Sequence, residues 1–403
     1  MKYIVMIGDG MADRPLKELN GKTPLQSAAT PNMDRLAREG IIGKIRTIPA
    51  GCHPGSDIAN LNILGYNPQE FYSGRAPLEA ASIGISMKED DVAYRCNLVT
   101  LKYNKDKTKA VMDDYSSGHI STDEAKKLVL EINQRVGNKE ISFYPGMSYR
   151  HIMLWSSGET KIECTPPHDI TGKEIADYLP VGNGEDMLRE LMLKSAGILE
   201  NHPVNKERMK RGDKPANSIW LWGQGKKLGL PTFKQKYSLD GALVSAVDLM
   251  RGIGISAGFE ILEVPGITGY LDTNYEGKAG GALKALERVN IAYIHVEAPD
   301  EAGHSGNYRD KIRAIEDFDA RVVGNVLKGI VAFDEYRVLI LPDHATPIAV
   351  KTHTDEPVPF VIYDSRMKRK NENASFDESI TERDDILVFE EGYKLMDYFI
   401  RDE

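Results

Sequence analysis

Ile291-Ala-Tyr-Ile-His-Val-Glu-Ala-Pro-Asp-Glu-Ala-Gly-His304 opens as an apolar, β-branched run and closes on two metal-ligating side chains, Asp300 and His304. The same pattern occurs twice more. Tyr3-Ile-Val-Met-Ile7 leads into Asp9, and Tyr336-Arg-Val-Leu-Ile-Leu341 leads into Asp343-His344. Runs of this kind read as strands buried on both faces, the mark of a parallel sheet. Open α/β sheets hold their ligands just past the carboxyl ends of the strands. Asp9, Asp300, His304, Asp343 and His344 are therefore expected to converge, with His353 as a further late donor.

Mixed Asp and His donors suit borderline ions such as Mn²⁺ or Zn²⁺ better than the all-oxygen cages of Ca²⁺ and Mg²⁺. With Ser56 the set comes to about seven donors, enough for two neighbouring ions of the kind that clamp the attacking and leaving oxygens of a phosphoryl transfer. Pro54-Gly-Ser-Asp-Ile-Ala-Asn60 puts Ser56 after a Pro-Gly break and ahead of an apolar-periodic stretch. That is a helix N-terminus, where backbone amides attract phosphate. A serine hydroxyl is a weak nucleophile at neutral pH, and coordination to an ion is one way to activate it without a neighbouring base. Alone, a Gly-Ser turn is usually a cap; beside these donor clusters Ser56 reads as a nucleophile. Asp57 reads as a cap or hydrogen-bonding partner, and His53 as a supporting or substrate contact. His295, inside its strand and short of the end, reads as a core or supporting histidine rather than a ligand.

Several motifs are specific in combination: Gly8-Asp-Gly-Met-Ala-Asp13, Thr30-Pro-Asn-Met-Asp-Arg-Leu-Ala37, Pro54-Gly-Ser-Asp57, Tyr270-Leu-Asp-Thr-Asn-Tyr-Glu-Gly-Lys278, Asp300-Glu-Ala-Gly-His304 and Pro342-Asp-His344. Through them the chain resembles, nearly end to end, the archaeal-type cofactor-independent phosphoglycerate mutases of the alkaline phosphatase superfamily. The resemblance implies an α/β fold: an alkaline-phosphatase-like core with a mostly parallel sheet flanked by helices, plus an inserted α+β cap domain. It implies one ion on Asp300, His304 and His353 and a second on Asp9, Ser56, Asp343 and His344. The ions would be divalent, Mn²⁺ first, with Mg²⁺, Zn²⁺ and Co²⁺ as alternatives. It also implies that Ser56 takes the phosphoryl group from one hydroxyl of phosphoglycerate and returns it to the other. Tyr94-Arg-Cys-Asn-Leu98, Asp114-Tyr-Ser-Ser-Gly-His119 and Tyr149-Arg-His151 resemble more closely a bacterial subgroup proposed to act as homoserine kinases. There the same serine and ions would pass phosphate from a nucleotide to homoserine. A phosphomonoester hydrolase, with water as acceptor, is a third reading.

At 403 residues the chain exceeds what one core usually serves, so two domains are expected. Residues 1–88 and 237–403 read as a discontinuous metal-binding core, and residues 89–236 as an inserted substrate-binding cap. Within the core, Asn32–Arg38 reads as a helix, Gly241–Met250 as a helix and Phe259–Leu262 as a strand. Within the insertion, Val92–Thr100 and Tyr149–Trp155 read as strands, and Thr122–Glu131 and Gly184–Met192 as helices.

A net charge of −9 argues against nucleic-acid or membrane-surface partners. A small phosphorylated metabolite would need positive charge concentrated locally, and Arg75, Arg95, Arg150, His151 and Lys278 are the candidates. The three cysteines, Cys52, Cys96 and Cys164, lack metal-site spacing and fit a reducing cytoplasm. The first apolar run is too short for a signal peptide, and no stretch is long enough to span a membrane. The Asn373-Ala-Ser375 sequon then carries no glycosylation meaning, and Ser365–Asn373 reads as a solvated loop.

Overall fold

The computed structural model describes residues 1–106, 108–367, 369–371 and 374–401. Asn373 of the sequon, and Lys368 and Glu372 of the biased run, lie outside the described residues. The chain forms two compact units, Met1–Tyr72 with Leu230–Glu403, and Ser73–Gly229. These boundaries depart from breaks at 88/89 and 236/237. The first shift has a clear cause: the Ala76–Ser82 helix packs its Ala76 and Ala80 against Ala93, Ile152 and Leu154 of the inserted segment.

The first unit is built on an eight-stranded sheet. Its order is Glu260–Ile261, Gly241–Val244, Ile291–Val296, Lys2–Gly8, Tyr336–Leu341, Val358–Asp364, Ile41–Ile45, Leu387–Phe389. Every adjacent pair is parallel except the two made by Val358–Asp364, which runs antiparallel to both neighbours. Lys2–Gly8 lies centrally between Ile291–Val296 and Tyr336–Leu341, with Ile7 level with His295 on one side and Leu341 on the other. All three strands therefore end together, and the donors that follow them share one edge of the sheet. One face is covered by helices including Pro31–Glu39 and Tyr275–Leu286, whose Met33, Leu36, Ala279 and Ala282 join Ile4, Met6 and Ile294 in the core.

Gly241–Met250 is not a helix. Gly241–Val244 is a buried parallel strand, and the helix starts only at Asp248 and runs to Ser256. A short apolar run is equally consistent with a buried strand, and here sheet pairing to Ile291–Val296 decides it.

The second unit carries a five-stranded antiparallel sheet. Val92–Tyr103 pairs with Ala110–Asp114, Arg150–Trp155 and Ser218–Lys226, and Ile141–Tyr144 extends the edge beyond Arg150–Trp155. The Thr122–Val136 and Glu185–Leu199 helices bury Leu128, Ile132, Leu188 and Leu191 against it. Among the described residues no helix is long and apolar enough to cross a membrane.

Candidate functional site

Asp9 follows the Lys2–Gly8 strand, Asp343 and His344 follow Tyr336–Leu341, and Asp300 lies in the first turn of the Ala298–Ser305 helix that follows Ile291–Val296. Ser56 is the first residue of the Ser56–Ile63 helix, after Gly55. These elements all belong to the first unit, and their side chains meet. Ser56 Oγ is 3.0 Å from His344 Nε2. His344 Nε2 lies 3.5 Å from Asp9 Oδ1 and 3.6 Å from Asp343 Oδ2. Around Asp300, His304 Nε2 stands at 3.1 Å and His353 Nε2 at 3.4 Å, and the two imidazole nitrogens are 3.0 Å apart.

The surrounding polypeptide holds these donors in orientation, as carboxylates and backbone carbonyls do around metal-ligating residues. Asp343 Oδ1 accepts from Gly10 N at 3.0 Å and from His344 N at 2.9 Å, while Oδ2 accepts from Asn60 Nδ2 at 2.8 Å. Asn60 is itself fixed by the Tyr293 hydroxyl, 2.6 Å from its Oδ1. Gly10 has φ +60°, and a Cβ there would sit 2.5 Å from both Asp300 Oδ1 and Thr346 Oγ1, so the close approach of its N–H to Asp343 requires glycine. The Thr346 hydroxyl donates to Asp300 and faces His344 Nδ1 at 3.2 Å, which puts the ring proton on Nδ1 and turns Nε2 towards Ser56. His304 Nδ1 donates to Lys351 O at 3.0 Å, so Nε2, which faces Asp300, is the nitrogen that can ligate once its proton leaves. Buried Lys311 reaches Ala12 O at 3.1 Å, Asp13 Oδ2 at 2.8 Å and Thr346 O at 2.8 Å, tying together the loops that carry Asp9 and Asp343.

The electrostatics match a site short of positive charge. Burial, together with Asp343 and Asp300, pushes the Asp9 carboxyl well above its ordinary range. Burial would raise Asp343 too, but His344 and His295 beside it hold it below the usual carboxylate range. Burial lowers His344 to about 4, so its ring is neutral and able to donate Nε2. A hydrogen bond to Asp300 raises His304 to about 9. Among the described residues Asp9 Oδ1 is buried with no hydrogen-bond partner. Three groups bring Asp or His donor atoms within 4.8 Å of one another: Asp300 with His304 and His353, Asp9 with Asp300 and His344, and Asp9 with His295 and Asp343. Clustered carboxylates, the neutral imidazole of His344 and an unmet buried oxygen fit divalent cations.

Asn60, Tyr293, Thr346 and Lys311 are supporting residues that sequence reading passes over. Only Asn60 carries a local signal, one helical turn after Ser56. His53 is exposed, with Nδ1 2.9 Å from Pro54 O, and Asp57 accepts from the Tyr72 hydroxyl at 2.5 Å. A cavity of about 650 Å³ opens beside His304, but its rim carries Asp272, Glu301 and Asp310, which would repel an anionic metabolite.

The expected substrate cations fare differently. Lys278 is corrected: it is completely buried, paired with Glu297 and donating to His295 O at 2.8 Å, so it has no face left for a carboxylate ligand. Arg95 pairs with Glu79 at 3.1 Å and stacks 4.1 Å above Trp222. His151 is 2% exposed, accepts from Gly146 N at 3.0 Å, and is pushed by burial down to about 3, so it offers no positive charge. Arg150 is exposed beside the Tyr149 ring, and Arg75 is half-buried at the start of its helix. Replacing Lys278 by Met should destabilise the fold by about 3–5 kcal/mol, because it leaves a buried charge unpaired. Chemical denaturation would measure this, and adding Glu297→Gln should recover much of the loss.

A serine at a helix start among Asp and His donors, on the carboxyl edge of a largely parallel sheet, is the arrangement of metal-assisted phosphoryl-transfer enzymes. The family model described as 2,3-bisphosphoglycerate-independent phosphoglycerate mutase matches residues 37–205. A protein of Geobacter sulfurreducens named as a probable mutase of that kind is 52% identical over 400 residues, covering 99% of this chain and 100% of the relative. The mutase of Methanosarcina barkeri is 52% identical over 380 residues, 94% of each chain. Among solved structures, a Pyrococcus horikoshii protein aligns with TM-score 0.83 and 29% identity over 100% of this chain and 98% of its own. The cofactor-independent phosphoglycerate mutase of Thermoplasma acidophilum gives 0.69 and 26% over 99% of each. The chain belongs to the 2,3-bisphosphoglycerate-independent phosphoglycerate mutase family.

Proposed function

We propose that the protein interconverts 2-phosphoglycerate and 3-phosphoglycerate through a phosphoserine on Ser56. The observation that carries this reading is the Ser56 hydroxyl at the head of its helix, 3.0 Å from His344 Nε2 and among buried Asp and His donors, in a chain of this family. Asp300, His304 and His353 would hold one divalent ion, and Asp9, Ser56, Asp343 and His344 the other, with Mn²⁺ the ion proposed for this mixed oxygen and nitrogen set. Such ions, when bound, lower the pKa of a coordinated hydroxyl and offset charge on the transferring phosphoryl group.

The polypeptide supplies the rest. Ser56 Oγ gives up its proton and forms the new P–O bond as the bond from phosphorus to one glycerate oxygen breaks, and that oxygen takes up a proton to leave as a hydroxyl. Glycerate turns in place, its other hydroxyl gives up a proton and attacks the phosphoserine, and Ser56 Oγ leaves and regains a proton, restoring its hydroxyl. Amides at the start of the Ser56–Ile63 helix suit the phosphoryl oxygens. Arg75 and Arg150 remain the proposed ligands of the substrate carboxylate, where a planar guanidinium can donate two parallel hydrogen bonds.

Phosphorus NMR of Mn²⁺-loaded protein with 3-phosphoglycerate, and without bisphosphoglycerate, tests the proposal. Appearance of 2-phosphoglycerate is expected. Release of free phosphate would replace it with a hydrolase, and phosphorylation of homoserine by ATP in the absence of mutase turnover would replace it with the kinase.

A further inference from the structure

His295 stands within the Ile291–Val296 strand with its imidazole completely buried. Its Nε2 lies 3.5 Å from Asp9 Oδ2 and 3.7 Å from Asp343 Oδ2. Among the described residues that nitrogen has no hydrogen-bond partner. Both separations exceed the roughly 2.7–3.2 Å of an N–H···O bond. They lie close instead to the spacing of two donors on one ion, since atoms about 2.0–2.2 Å from a tetrahedral metal stand roughly 3.3–3.6 Å apart; the 3.5 Å to Asp9 falls within that range and the 3.7 Å to Asp343 just beyond it.

The far edge of the ring decides which of its nitrogens is free to ligate. Ser245 Oγ faces Nδ1 at 3.5 Å. That hydroxyl has one proton, and it goes to Glu297 Oε1 at 2.7 Å. Towards the ring, Ser245 Oγ and Glu297 Oε1, the latter 3.4 Å from Nδ1, can only accept, which favours the hydrogen on Nδ1 and makes Nε2 the nitrogen that ligates once a cation takes the place of a proton between the ring and Asp343. Glu297 is in turn held by the Lys278 ammonium and by Ala246 N at 2.7 Å. Lys278, Glu297, Ser245 and His295 thus form one buried chain that ends in a ring nitrogen facing two carboxylates. A histidine kept merely to fill the core would not need its tautomer fixed by a buried ion pair, whereas ligating histidines are regularly oriented through the other ring nitrogen.

We infer that His295 is a metal ligand, donating Nε2 to a divalent cation held together with Asp9 and Asp343. This departs from the supporting role read from its place inside the strand. It also gives Lys278 a function: through Glu297 and Ser245 it is a positioning residue for the metal centre. The inference rests on the two-ion reading of the site, since Asp9 and Asp343 belong to that reading as well.

The test is made on the wild-type protein, labelled with ¹⁵N in its histidine rings and loaded with ¹¹³Cd²⁺. Direct ¹¹³Cd–¹⁵N coupling is expected at Nε2 of four histidines, His295, His304, His344 and His353, assigned through their backbone amides. In His295→Gln one coupled signal should vanish while the other three remain, and Mn²⁺ should bind roughly 10–100-fold more weakly. Coupling at His304, His344 and His353 with His295 uncoupled overturns this inference and leaves the two-ion reading standing. Coupling at none of the four overturns both. Because the count is made on the wild-type chain, it holds even if the variant does not fold.

Discussion

Ser56→Ala is expected to abolish mutase turnover, by at least about 10³-fold, while leaving the fold and most of the cation binding intact. The size follows from the chemistry. Without Oγ no covalent phosphoryl intermediate can form, and the remaining donors can bind phosphoglycerate but cannot hold its phosphoryl group while glycerate turns. Stability should barely change. Ser56 is a half-buried first residue of its helix, its side chain does not cap that helix, and its Oγ contact is to His344. Of the other proposed donors only His344 loses a contact to Oγ, while Asp9, Asp300, His304, His353 and Asp343 keep the contacts described above. Phosphorus NMR gives the rate, and metal analysis after gel filtration gives the cation content. Turnover within tenfold of wild type would remove Ser56 from the nucleophile's role. A phosphate mass shift on the Ser56 peptide of wild-type protein quenched with substrate is the positive counterpart.

The strand ends were legible because buried parallel strands leave a distinctive trace, a short β-branched run stopping abruptly at polar side chains. Three such runs, at Tyr3–Ile7, Ile291–Val296 and Tyr336–Leu341, are adjacent in the sheet, which suffices to bring Asp9, Asp300 and Asp343 to one edge. What failed was local. Gly241–Val244 has the same trace, but the Ser-Ala-Val that follows it is equally helix-compatible, and only pairing to Ile291 and Ala292 tells strand from helix. Lys278 looked like a substrate cation because its partner Glu297 lies 19 positions away and becomes a neighbour only through the sheet. The same holds for Asn60 with Tyr293, separated by 233 positions, and for Lys311 with Asp13, separated by 298. Residue type and strand position mark the donors, but what holds the donors in place is tertiary and has no sequence period to read.

Chelation should silence the enzyme by a factor comparable to Ser56→Ala, and re-added Mn²⁺ should restore it, with an affinity that depends on pH in a defined direction. His304, raised to about 9 by Asp300, carries a proton in the cation-free protein throughout the neutral range. An ion needs the neutral ring, so binding at Asp300, His304 and His353 must expel that proton. The apparent dissociation constant should therefore fall about tenfold per pH unit as pH rises towards 9, and level off above it. The raised carboxyl of Asp9 acts in the same direction at the neighbouring group, since its proton must also leave before it can ligate. Stability has the opposite sign in the cation-free protein. A histidine whose folded pKa exceeds its unfolded value of about 6.5 contributes stability that is complete below that value and is lost as pH climbs through the folded pKa. From about pH 6.5 to 9 the chelated protein should thus lose its His304 contribution while the loaded protein binds its ions more tightly, and the gap between their melting temperatures should widen with pH. Paired thermal melts with and without chelator, taken at half-unit steps, measure that gap. A gap that stays constant or narrows would mean that His304 is already neutral before the ion arrives, and that Asp300 does not hold its proton.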